Sequence, residues 1–117
     1  MRVEKELMRG AGPMAVMQLL TSGERYGYEL VESLAQRSSG VLAMGQSTLY
    51  PLLYNLEAKG MITSRVDDTG KRPRRYYRLT DKGKRRLVHD TNQWQSLLDA
   101  MRGLGFGGQP AAQGSVA

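Results

Sequence analysis

Cysteine is absent from the 117 residues. Disulfide bridges, thiolate metal ligands and a cysteine nucleophile are therefore excluded. Histidine occurs once, at His89. It is expected to be exposed, with no carboxylate or serine placed to make it catalytic. No run approaches the roughly 18 consecutive apolar residues of a membrane span. The opening MRVEKELMRG carries charges where a signal peptide needs an apolar stretch. There is no glycine-rich phosphate loop, no metal-ligand cluster and no nucleophile paired with a base. The late GFGG lacks a preceding strand and a following helix, so it carries no weight. The expectation is a non-enzymatic, cytoplasmic protein with no cofactor and no membrane partner.

What is present is positive charge, and it is concentrated. The net charge is +6. Residues 65–86 hold Arg65, Lys71, Arg72, Arg74, Arg75, Arg78, Lys82, Lys84, Arg85 and Arg86 against Asp67, Asp68 and Asp81, a balance of +7 that leaves −1 for the remainder. Such a patch favours a polyanion through counterion release. A solvated basic face, or one that meets anionic lipid, would show the same balance.

Hydrophobic periodicity orders the elements. Met8, Ala11, Ala15 and Leu19, with Val16 and Leu20, recur at helical spacings over 4–20. Pro13 predicts a kink or restart there. TSGE (21–24) reads as a turn. A second helix spans 26–37 with Gly27, Leu30, Val31 and Leu34 buried, and Gly40 suits the left-handed position past its end. A third helix runs from about 46 to 59, with Leu49, Leu52, Leu53 and Leu56 as its core face and Ser47 as a candidate N-cap. A hairpin follows, MITSRV (61–66) and RRYYRL (74–79), joined by DDTGKRP. Thr80 caps a last helix, 80–102, on which Leu87, Thr91, Trp94, Leu98 and Met101 form a heptad-like seam. That seam suits packing on its own domain or on a second copy. The glycine-rich stretch 103–117 is expected to be disordered.

Helix–turn–helix followed by a hairpin is the winged-helix plan. The fold class is mainly α with a small β-hairpin. Residues 1–79 form a winged helix-turn-helix and 80–102 a C-terminal dimerisation helix. In a helix-turn-helix, the second helix reads base edges in the major groove with its N-terminal residues. Here these are Gln46, Ser47 and Thr48, short groups able to donate and accept. Tyr50 and Tyr54, one turn apart, reach phosphates or sugars. Ser47 serves equally as a cap. Lys71, Arg72, Arg74 and Arg75 surround the hairpin turn, where arginine enters the minor groove or pairs with phosphate. One or two charges would suffice merely to protect an edge strand. Trp94, the only tryptophan, is either a packing anchor or half of an aromatic-lined pocket between two subunits. A winged helix that meets an acidic protein, or a ligand sensor without DNA affinity, are the rival readings.

YGYELVESL (26–34), STLYPLLYNLEAKGMI (47–62) and RPRRYYRLTDKG (72–83) resemble the signature segments of the PadR family of transcriptional regulators, in order and spacing, across roughly 4–102. The single helix after RLT resembles the branch with a small C-terminal domain. The resemblance implies a homodimer whose C-terminal helix supplies much of the interface. It implies binding to roughly palindromic double-stranded operator DNA, usually as a repressor. Small phenolic or flat aromatic effectors release many members. By position, the DNA-facing residues would be Gln46, Ser47, Thr48, Tyr50, Tyr54, Lys71, Arg72 and Arg74, while Tyr77 would pack the wing onto the body. Trp94 falls where multidrug-binding members carry a ligand-stacking tryptophan.

Overall fold

The computed structural model describes residues 1–107. Helix α1 (Lys5–Leu19) is followed by a 3₁₀ turn (Leu20–Ser22) and strand β1 (Arg25–Tyr26). Helices α2 (Gly27–Arg37) and α3 (Gln46–Ala58) come next. Strands β2 (Ile62–Asp67) and β3 (Arg74–Leu79) form the hairpin, and α4 (Asp81–Gly103) closes the chain. The chain divides into two units, residues 1–87 and 88–117. No helix among the described residues is long and apolar enough to cross a membrane.

The core of the first unit is built where the apolar periodicities converge. Val16, Met17, Leu19 and Leu20 come from α1 and its 3₁₀ extension. Leu30 and Leu34 come from α2, and Leu49, Leu53 and Leu56 from α3. Ile62, Tyr77 and Leu79 close it from the sheet. The sheet is antiparallel with strand order β1-β3-β2. Ile62 stands opposite Leu79, and Ser64 opposite Tyr77. Strand periodicity therefore sends Tyr77 and Leu79 inward, and Arg74, Tyr76 and Arg78 to the other face. The architecture is a winged helix: a helix-turn-helix pair, α2 and α3, with a two-stranded wing.

Several expectations need correction. Pro13 does not restart the first helix; α1 is a single helix that continues through it. Ser47 is not the cap of α3. The helix starts at Gln46 after Gly45, whose carbonyl accepts from Thr48 and Leu49. The hairpin also gains a third strand, β1, too short to show any alternation. Leu87 is no part of a seam offered to a partner. It is 6 % exposed, within the core of its own domain.

Other details follow the sequence. Gly40 has φ 84° and its N–H donates to the Ala35 carbonyl, ending α2. Thr80 caps α4: its Oγ1 accepts from the Gly83 N–H at 3.0 Å. In the second unit, Thr91 and Trp94 are exposed, while Leu98 and Met101 are half-buried. After Gly103 the chain turns back, with the N–H groups of Leu104 and Phe106 donating to the Met101 carbonyl. The disorder expected of 103–117 falls, from residue 108 onward, outside the described residues.

Candidate nucleic-acid interface

Helix α3 presents three stripes, as its 3.6-residue period requires. Leu49, Leu53 and Leu56 face the core. Ser47, Pro51 and Tyr54 lie on the opposite, exposed side, and Tyr54 is 74 % exposed. Gln46, Ser47 and Thr48 occupy the first turn, all exposed. Thr48 belongs to a separate flank. With Leu52, Asn55 and Lys59 it lines a cleft of about 1000 Å³ shared with the start of α1. The structure thus places Thr48 on the α1 side of the helix, away from Tyr50.

Tyr50 is only partly available. Its hydroxyl packs on Gly27 at the start of α2, where a methyl group would come within 2.6 Å of that oxygen. Gly27 exists to let this ring lie against α2. The contact fixes the approach of the two helices of the helix-turn-helix pair.

The wing is tied to α3 by a short polar relay. Ser64 Oγ donates to Glu57 Oε2 at 2.7 Å and accepts from Arg75 at 3.0 Å. Tyr77, directly opposite Ser64, anchors the same strands in the core, and burial pushes its phenol above the ordinary value. At the tip, Asp67 Oδ1 accepts from both the N–H and the hydroxyl of Thr69, at 3.0 and 2.6 Å. These bonds hold its carboxyl below the usual range. They shape a turn in which Lys71, Arg72 and Arg74 gather, with Tyr76, around a pocket of about 410 Å³. Neither Lys71 nor Arg72 has an ion-pair partner among the described residues.

Not every basic residue of the 65–86 run is offered to a ligand. Arg65 is engaged by Glu24, its Nε lying 3.1 and 3.2 Å from the two carboxylate oxygens. The arginine holds the Glu24 carboxyl below its ordinary value. Lys82 donates to the Lys59 carbonyl at 2.8 Å, closing the end of α3. Sequence reasoning missed Glu24 and Tyr26. Strand register was the only signal: Arg65 sits opposite Tyr76, and Tyr26 opposite Tyr76 on the other edge.

The exposed start of α3 and the basic wing tip therefore belong to one compact unit, joined through Glu57, Ser64 and Tyr77. The model of the transcriptional regulator PadR-like family matches residues 16–89, which span both. The chain belongs to this PadR-like family. Its members are transcriptional regulators, not enzymes. A PadR family transcriptional regulator from Eggerthella lenta has 41% sequence identity and a TM-score of 0.76, over 85% of each chain. Bacillus subtilis PadR in complex with operator DNA matches with a TM-score of 0.64 and 31% identity, over 70% of this chain and 46% of that one. The negative transcriptional regulator PadR of Bacillus subtilis is 35% identical over 77 residues, 65% of this chain and 42% of that protein. The three segments that resemble PadR signatures carry the start of α2, α3 from Ser47 to its end and the arginine-bearing strand of the wing.

Proposed function

We propose that this PadR-like regulator is a repressor that binds a palindromic operator as a homodimer. Each α3 enters a major groove, with Gln46 and Ser47 at base edges and Tyr54 on the backbone. Thr48 meets DNA from the α1 flank, and Tyr50 contributes the part of its ring that Gly27 leaves open. Lys71, Arg72 and Arg74 meet the flanking backbone or minor groove. The observation that carries this reading is the pairing of an exposed polar helix start with a wing turn whose Lys71 and Arg72 have no ion-pair partner among the described residues. A basic turn built only to blunt a sheet edge needs fewer charges. The name of the Bacillus subtilis relative, a negative regulator, supports the direction of control, and its operator complex supports the ligand.

Dimerisation uses the exposed face of α4, where Val88, Trp94 and Leu97 are large apolar side chains open to solvent. The seam is completed by Thr91, Leu98 and Met101. A flat aromatic effector stacks between two copies of Trp94 and alters the spacing of the two reading heads. The heads then no longer match the half-sites, and affinity falls by the difference in effector binding between the two states.

A mobility shift with the DNA upstream of its own gene, in moderate salt with excess nonspecific competitor, tests the reading. A discrete complex that survives competitor is expected. A smear that competitor removes would count against sequence-specific regulation.

A further inference from the structure

Arg74 opens β3 where the sheet narrows from three strands to two. Strand β1 pairs only with Tyr76 and Tyr77 of β3. Toward the tip, Arg74 has β2 alone beside it, with Asp67 as its cross-strand neighbour. Its side chain nevertheless has a fixed rest. The guanidinium carbon lies 4.6 Å from the centroid of the Tyr26 ring. Tyr26 belongs to the body of the domain. It immediately precedes α2, its N–H donates to Glu29 Oε1 at 3.0 Å, and its ring meets Tyr76 edge-on at 5.7 Å.

The chemistry of this stack matters. An arginine has many rotamers, and holding one costs entropy at the moment of binding. Stacking uses the flat face of the guanidinium. Its N–H donors lie in the plane and stay available. A stacked arginine is thus ordered in advance without losing a donor. Arg65 provides the contrast: it lies over Tyr76 at 4.9 Å, but its donors go to Glu24. Among the described residues no carboxylate takes the donors of Arg74: Asp67, across the strand, is felt only through its charge, and Arg74 borders the wing pocket with Lys71 and Arg72.

We propose that Tyr26 is a positioning residue that holds Arg74 with its donor edge toward a DNA phosphate. This rests on the DNA-binding reading above. Tyr26 itself need not touch DNA. It couples the aim of the wing to the start of α2, so the two halves of the reading head keep one geometry.

A phosphate contact is independent of sequence, so the operator need not be known for the test. The probe is a fluorescein-labelled mixed-sequence duplex of about 30 base pairs, enough for two half-sites one turn apart, titrated by anisotropy from about 50 mM salt upward. Arg74→Ala is expected to weaken binding and reduce the salt slope by about two, one for each copy of the dimer. Tyr26→Leu is expected to weaken binding about five- to thirtyfold, the worth of one exposed stack in each of two copies, with the slope unchanged. Tyr26→Phe keeps the ring and should bind as the parent does. In the Arg74→Ala background, Tyr26→Leu should change nothing. Equal losses in both backgrounds, or no loss in either, would overturn the proposal. Should Tyr26→Leu fail to fold, Arg74→Lys replaces it, keeping the charge but not the flat stack. Weaker binding at unchanged slope is then expected, and parental affinity would overturn the proposal. A parent protein that does not bind the duplex at all would remove the DNA-binding reading itself, a result distinct from an additive cycle.

Discussion

Gly83 is the position where one methyl group would be felt most. A Cβ there would lie 1.9 Å from the Met61 carbonyl oxygen, which is backbone and cannot step aside. That same oxygen accepts from the Thr80 N–H and Oγ1, so the start of α4 is latched onto the start of β2. Gly83→Ala should cost at least about 2 kcal/mol, the range of an overpacked core. Denaturant unfolding measures it, and a change within about 0.5 kcal/mol would show the junction to be loose. Glu24 yields a pH test. Its folded carboxyl is held below the ordinary 4.5 by the hydrogen bond from Arg65. A lowered carboxyl contributes its stability above the unfolded value and loses it as pH falls through the folded value. The gap in thermal midpoint between the parent and Glu24→Gln should therefore be widest above pH 4.5 and close in more acid solution. A gap constant with pH would mean the Glu24–Arg65 pair does not hold in solution.

At the scale of elements, α3 matters most, because one helix supplies both core and reading surface. Leu53 is 1% exposed. Leu53→Ala should cost about 2–5 kcal/mol by opening a cavity under the helix, read as a lowered denaturation midpoint. An effect below about 1 kcal/mol would mean the face collapses to fill the gap. The helices were legible in advance because each has one continuous apolar stripe and a clear stop, as Leu49, Leu53, Leu56 and then Gly60 illustrate. The hairpin was legible from its alternation around a Thr-Gly turn. Strand β1 was not, since two residues show no period and its pairing with β3 is set by tertiary contact. The cap of α3 was misplaced because Ser47 looks like a capping residue wherever it stands. The use of Leu87 was misread because a heptad spacing does not say whether the facing surface belongs to the same chain. In the candidate site, residue types were legible, but the diversion of Arg65 to Glu24 and the resting of Arg74 on the Tyr26 ring depend on strand register.

For the whole molecule, an exposed Trp94 and Leu97 on α4 are a liability unless a second copy covers them. Both are close to half exposed, at 43% and 50%. Leu97→Glu should shift the protein toward monomer in sedimentation. It should weaken operator binding far more than nonspecific binding, because only the linked pair of heads gains from two half-sites. A dimer that survives Leu97→Glu would place the interface elsewhere. Selection of bound sites from a random-sequence DNA pool, using the intact protein, reaches furthest. A homodimer of reading heads predicts an enriched site with two-fold symmetry and half-site centres about 10 base pairs, or a multiple, apart. A pool that stays unenriched through successive rounds would contradict sequence-specific DNA recognition by α3 and the wing.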